Sequence, residues 1–210
     1  MSNQARYRRI APFYDLLDLP FEYGRYRSLR REMFRDLGGR VLDAGAGTGR
    51  NFAWYPREAE MVAIDISVAM LTRAKPRRRS SPAKSITLSV MDVTGLALPD
   101  AMFDAAIATF LFCVLPDDQQ EAALRELARV VRPGGLIRLL DYVRPAGRIR
   151  QFIVSLWEPW VAWAYGASFD RSTEHHVRAA GLEIARRHFV ADNLIRQLDL
   201  IVPIRSAGPR

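Results

Sequence analysis

Val41-Leu42-Asp43-Ala44-Gly45-Ala46-Gly47-Thr48-Gly49-Arg50-Asn51 is the stretch that decides the fold. Two apolar residues and a carboxylate end a buried strand. Glycines at 45, 47 and 49 follow, and then a segment able to open a helix. Glycine accepts positive φ and carries no Cβ, so such a loop lets backbone press against a ligand. A helix opening there adds free N–H groups and a positive dipole end. Alone, the pattern also describes a plain tight turn. Its neighbourhood adds to it. Met61-Val62-Ala63-Ile64 is the next apolar run, and Asp65 closes it roughly 20 residues on, where a dinucleotide-type fold keeps the acid that grips ribose hydroxyls. The glycine spacing departs from the NAD fingerprint, because a single residue separates the second and third glycines.

Outward from this loop, strands and helices alternate. A strand over 40–44 leads to a helix over about 50–57, a strand over 60–65 and a helix over about 67–75. Lys75 to Lys84 reads as a charged loop with a solvated face. Ile86, Leu88 and Val90 alternate with polar residues in a third strand that ends at Asp92. Phe103 to Phe110 is a fourth, apolar enough to be buried on both faces. Asp117 or Asp118 caps a helix that carries Ala123, Leu124, Leu127, Ala128 and Val131 inward. Pro133-Gly134-Gly135 turns the chain into a fifth strand, Leu136 to Tyr142. A helix over Ser172 to Ala180 and two strands near Leu182–Val190 and Leu194–Val202 complete the order. The expected fold is α/β: a Rossmann-like, seven-stranded, mostly parallel sheet with one antiparallel edge strand, helices on both faces and an N-terminal amphipathic helix. Asp43, Asp65 and Asp92 then close three consecutive strands and converge on one crevice.

The chain of 210 residues reads as one domain, 1–210, with a helical cover over 1–37 and an aromatic-rich helical insertion over 145–168 near the site. In the cover, Tyr7, Ile10, Ala11, Tyr14 and Leu17 share a stripe that Arg8 and Arg9 avoid. Two readings fit it: a helix packed over the domain, or an interfacial helix with arginines near lipid phosphates. In the insertion, Phe152, Ile153, Leu156, Trp157, Trp160 and Val161 hold helical spacing. That suits a helix packed on the sheet, or a wall or lid for an apolar substrate. The net charge of +8 and pI of about 10.2 suit a basic soluble surface or attraction to an anionic membrane face. Cys113 is the sole cysteine, and no Cys/His spacing suits a metal. The polar N-terminus lacks a signal-peptide core, and the longest uncharged apolar run, Ala105 to Leu115, is too short to span a bilayer. A cytoplasmic, peripherally membrane-associated protein is expected.

The acid-x-Gly-x-Gly-x-Gly pattern resembles motif I of class I S-adenosylmethionine (SAM) methyltransferases. Val62-Ala63-Ile64-Asp65-Ile66-Ser67 with Met70-Leu71 resembles motif II, and Asp92, Phe103-Asp104 and Leu127 to Gly135 resemble later blocks. Tyr7 to Asp15 is similar to the N-terminal segment of ubiquinone/menaquinone C-methyltransferases and bacterial phospholipid N-methyltransferases. Gly49-x-Asn51-Phe52, Tyr55-Pro56, Cys113 and Trp157-Glu158-Pro159-Trp160 are similar to methyltransferase-like alkyl-thiol methyltransferases. The resemblance implies SAM as cofactor and S-adenosyl-L-homocysteine as product. It implies Asp43, Gly45 and Gly47 at the methionine part and Asp65 on the ribose. Asp92 and the Val93 N–H would meet the adenine, sandwiched by Ile66 and Met70, with Thr109 also lining the cofactor site. Tyr14 is the candidate catalytic residue; Tyr7, Asp141, Tyr142 and Trp157 are candidates on the acceptor side. The favoured acceptor is a phospholipid amine headgroup, with a quinone ring carbon or an apolar thiol as alternatives. An RNA methyltransferase is less favoured, since Thr109-Phe110-Leu111-Phe112 stands where base N-methylases carry a polar-Pro-Pro-aromatic motif. No nucleic-acid partner and no metal are expected.

Overall fold

The computed structural model describes residues 27–145, 147–148, 151–152, 154–156, 158–159, 168–169, 172–190 and 193–204. The helix expected over 5–18, much of the insertion and, with them, Tyr7, Tyr14 and Trp157 lie outside the described residues.

Seven strands form one sheet: β1 (Arg40–Ala44), β2 (Glu60–Asp65), β3 (Ser85–Val90), β4 (Phe103–Thr109), β5 (Val131–Tyr142), β6 (Glu183–Val190) and β7 (Ile195–Ile201). Their order is β3-β2-β1-β4-β5-β7-β6. β1 to β5 run parallel, and β7 is antiparallel to both β5 and β6. The antiparallel strand expected at that end is therefore β7, one place in from the edge, with β6 outside it. The order reverses between β1 and β4, so their carboxyl ends open a crevice.

The period-two alternation of the strands divides the core cleanly. Val41, Met61, Ala63, Ala105 and Ile107 face one side, where α1 (Arg27–Met33), a 3-10 helix (Arg50–Trp54) and α2 (Val68–Arg78) contribute Met33, Phe52 and Ala74. Leu42, Ala44, Ile64, Ala106 and Ala108 face the other, where α3 (Asp117–Val130) and α4 (Thr173–Ala179) bring Leu124, Leu127 and Val177. Arg138 on β5 ties the layers together. It holds Asp199 of the facing β7 position at 2.8 Å and donates to the carbonyls of Met33 and Arg35 at 3.0 and 3.2 Å, closing the end of α1.

Some local expectations change. α2 runs on through Pro76 to Arg78, into the stretch read as a loop, because Arg77 donates to the Thr48 carbonyl at 2.6 Å and anchors that turn to the glycine loop. Lys84 pairs with Glu60 at 2.7 Å, so that charge run is not wholly given to solvent. The cap of α3 is Pro116; Asp117 and Asp118 instead occupy its first turn, beside the positive dipole end. The helix expected over 50–57 is a short 3-10 helix. Pro133-Gly134-Gly135 lies inside β5 as a bulge, where the register with β4 jumps from Phe103↔Val131 to Ala105↔Leu136. A Cβ on Gly135 would lie 2.8 Å from the carbonyl oxygens of Arg132 and Asp104, so only glycine fits there.

Candidate functional site

The glycine loop leaves β1 under tight backbone control. The N–H groups of Gly45 and Ala46 both donate to the Ile64 carbonyl at 2.9 Å, locking the loop to β2. Gly45 packs against Leu111, and Gly49 against Phe52 and Ala74. Gly47 differs: it has φ of 55°, and a Cβ there would meet nothing within 4 Å. The crown of the loop thus presents bare backbone to open space.

Asp65, at the carboxyl end of β2, binds the loop from the side. Oδ2 accepts the Gly47 N–H at 2.9 Å and Oδ1 accepts the Ser67 N–H at 2.8 Å. Burial pushes its pKa up against those two donors. Each oxygen keeps a further lone pair, which is what a ribose diol needs from a carboxylate. Ile66 is half-buried beside it. Met70 is fully buried in the core, so the apolar face that the start of α2 exposes is Val68 rather than Met70.

Asp92 lies exposed beyond β3, with Oδ1 accepting the Thr94 N–H and hydroxyl at 2.9 and 2.8 Å, and Val93 is buried behind it. Arg129 of α3 anchors this loop by donating to the Leu96 and Leu98 carbonyls and pairing with Asp100 and Glu126.

Asp43 sits beneath the loop rather than in the crevice. It is fully buried, takes the Tyr55 hydroxyl at 2.6 Å and accepts both bonds of the Asn51 amide at 3.1 and 3.2 Å. Burial drives its pKa up to about 6, opposed by those donors. The same Asn51 nitrogen lies 3.3 Å from the Thr109 hydroxyl, and its oxygen takes a 2.8 Å bond from Arg30 of α1. Arg30 also lies over the Phe110 ring, 5.7 Å from its centroid. Arg30, Asn51 and Tyr55 were not among the expected site residues. The sequence signal for two of them was present in Gly49-x-Asn51 and Tyr55-Pro56; nothing marked Arg30.

The far wall comes from β4 and β5. Phe110, at φ of 56°, stacks on Tyr142 with centroids 5.0 Å apart, and Tyr142 meets Phe169 edge-on at 5.6 Å. Cys113 packs against Phe110 and Tyr142, and its N–H donates to Asp141 Oδ1 at 3.0 Å. Burial pushes Asp141 up to about 7. Of the expected residues, the structure therefore gathers Gly45, Gly47, Asp65, Ile66, Asp92, Val93 and Thr109 along one half of the crevice edge and Asp141 and Tyr142 along the other.

A mostly parallel sheet with a glycine loop at its reversal point, an acid at the end of β2 and another just beyond β3 has the architecture of a nucleoside-binding α/β domain. Residues 41–135 match the family described as a methyltransferase domain. The chain is 39% identical over 146 residues, 65% of its length and 60% of the relative's, to the ubiquinone/menaquinone biosynthesis C-methyltransferase of Syntrophotalea carbinolica. It is 36% identical over 106 residues, 50% of its length and 51% of the relative's, to the phosphatidylethanolamine N-methyltransferase of Cereibacter sphaeroides. A SAM-dependent methyltransferase of Thermotoga maritima, described as a possible histamine N-methyltransferase, shares the fold at a TM-score of 0.72 and 18% identity, over 96% of this chain and 100% of that one. Residues 41–135 thus carry a methyltransferase domain, and the relatives to which the chain is similar are methyltransferases. The chain spans 51–60% of the length of the two curated relatives just described.

The crevice fits that family's cofactor. There is open space above Gly47, and Asp65 keeps lone pairs beyond its two backbone bonds, as a ribose diol needs.

Proposed function

We propose that this chain transfers a methyl group from SAM to an acceptor borne by a lipid, the amine headgroup of phosphatidylethanolamine, with S-adenosyl-L-homocysteine as the second product. Bound SAM supplies a sulfonium-activated methyl group. The chain's own residues hold and orient: Gly45 and Gly47 by backbone, Asp65 at the ribose, Asp92, Val93 and Ile66 at the adenine, and Thr109 through the network that fixes the loop. Most of the rate comes from positioning and exclusion of water.

The observation that carries the acceptor reading is the far wall. Phe110 and Tyr142 pack on Cys113, Tyr142 meets Phe169 edge-on, and the Cys113 N–H donates to the buried carboxylate of Asp141. Rings and a carboxylate together suit a cationic headgroup. The rim supports a lipid source. Val68, Val90, Phe152, Leu156 and Phe189 are large apolar residues left exposed, each on a segment at or leaving the carboxyl end of a strand. No helix among the described residues is long and apolar enough to cross a membrane, so the contact proposed is peripheral, on an anionic cytoplasmic surface. Tyr14 remains the proposed catalytic residue, and Tyr7 and Trp157 remain proposed acceptor-side residues. The relative with C-methyltransferase in its name favours a second reading, a quinone ring carbon.

Labelled SAM presented with phosphatidylethanolamine vesicles and, separately, with a detergent-dispersed demethylated naphthoquinol decides between the two. Label in the phospholipid is expected. Label in the quinol alone selects the second reading, and label in neither overturns the function.

A further inference from the structure

Arg30 is a buried cation on a helix that is docked by other residues. It lies on α1 and is only 7% exposed. Met33 and Phe34 bury the end of that helix in the core, Arg27 lies over Trp54 at 5.8 Å, and Arg138 closes the last turn. Taking a guanidinium out of water is costly, and an apolar side chain of similar volume often serves stability as well. The retention of Arg30 asks for a reason.

Arg30 holds two things at once. Its Nη1 donates to Asn51 Oδ1 at 2.8 Å, and the Asn51 amide continues to both Asp43 oxygens and the Thr109 hydroxyl. Those groups form the floor beneath the glycine loop. The guanidinium carbon also lies 5.7 Å from the centroid of the Phe110 ring, within cation–π range. Phe110 is the first residue beyond β4 and begins the aromatic wall by stacking on Tyr142. The loop it opens abuts the glycine loop, since Gly45 packs against Leu111. One side chain from α1 therefore touches the floor of the cofactor half and the wall of the other half.

Phe110 is the part of that wall most in need of support. Its φ of 56° is in the left-handed region, which a bulky aromatic residue rarely adopts. Its N–H donates to the Leu140 carbonyl at 2.7 Å, Tyr142 stacks on the ring at 5.0 Å, and Arg30 adds a contact from the cofactor side. Strained backbone persists where its surroundings over-determine it, and such residues gather at functional sites.

We propose that Arg30 is a positioning residue for methyl transfer: it fixes the Phe110 ring relative to the floor under the glycine loop, and so the distance between donor and acceptor. This rests on the reading above and adds to it the residue that holds the two halves of the site in register. Arg30 itself touches neither ligand. In-line transfer depends steeply on that distance, and a misplacement of about 1 Å costs about 100-fold in rate.

The test uses the full chain. Arg30→Met keeps the length of the side chain and removes its charge and its donors. In hydrogen exchange followed by NMR, the Phe110 amide should exchange about tenfold or more faster than in wild type, beyond any change at the Ala106, Ile107 and Ala108 amides of β4. No acceleration at Phe110, or one shared equally by those strand amides, overturns the proposal. With labelled SAM and vesicles of phosphatidylethanolamine with phosphatidylglycerol, kcat should fall by about tenfold to 100-fold. Asn51 keeps its bonds to Asp43 and Thr109, so the phospholipid KM and the SAM affinity by calorimetry should stay within about threefold of wild type. A kcat within about threefold of wild type, or a loss matched by an equal loss of SAM affinity, overturns the proposal. Arg30→Lys keeps a positive charge beside Asp43 and gives up the planar fork that spans both contacts. Its kcat should remain below about a third of wild type; full recovery means that Arg30 serves only as a counter-charge to Asp43, and overturns the proposal. The lysine variant carries both comparisons should the methionine variant fail to fold. Should wild type label no phospholipid, the acceptor reading fails, and the Phe110 amide alone decides the role of Arg30.

Discussion

Tyr55→Phe removes a single hydroxyl and leaves the ring where it packs, 5.1 Å from the centroids of both Phe34 and Phe52. That hydroxyl donates to Asp43 Oδ2 at 2.6 Å inside a fully buried cluster. A hydrogen bond to a charged group contributes about 1.5–3 kcal/mol, so the loss costs about 2 kcal/mol while Asp43 is ionised. Asp43 is not ionised at every pH, because burial lifts its pKa from 3.8 to about 6. A carboxyl raised on folding supports the fold fully below its unfolded pKa, and that support is lost as pH climbs through the folded value. The rise on folding corresponds to about 3 kcal/mol. Without Tyr55 the ionised form loses its shortest donor. The folded pKa then climbs further, and the loss extends to higher pH. The penalty of the substitution is therefore below about 1 kcal/mol at pH 5 and about 2 kcal/mol at pH 8, the latter a fall in Tm of about 4–8 °C. Urea unfolding followed by circular dichroism at the two pH values measures it. A penalty equal at both, or larger at pH 5, refutes the assignment of Asp43 as a buried carboxylate held by Tyr55.

Arg138→Ala leaves Asp199 in the β5–β7 layer without its cation and uncaps α1; the free energy of unfolding should fall by about 3 kcal/mol, read as a lower urea midpoint. Gly47→Ala meets no protein atom, so stability should fall only by the left-handed penalty of about 1–2 kcal/mol. Its methyl group enters the proposed ligand space, and calorimetry should show SAM affinity reduced by about tenfold or more, a larger loss than backbone strain alone produces.

The sheet was readable because buried parallel strands are nearly continuous apolar runs, and turn residues bounded each of them. Met61 to Asp65 and Phe103 to Thr109 needed no tertiary knowledge. Pro76 was not readable in the same way. It marks a helix end by its own chemistry, yet the helix runs on, and a bond from Arg77 to a carbonyl 29 residues earlier ties that turn to the glycine loop. The site divides similarly. Asp65 and the glycines follow from local pattern and topology. The burial of Asp43 depends on Arg30 from α1 and on Asn51 and Tyr55 from the 3-10 segment, which arrive from two separate stretches, and Met70 is buried in the core by the packing of α2. Neither leaves a periodic trace in the sequence.

Calorimetric titration of SAM into wild type and Asp65→Ala bears most directly on the claim that the crevice at the glycine loop holds this nucleoside. One site per chain is predicted in wild type. In Asp65→Ala the ribose acceptor is gone and the Gly47 N–H has lost its anchor, so affinity should fall by about 100-fold, equivalent to about 3 kcal/mol. Equal affinity in the two proteins, or no binding to wild type, would contradict it.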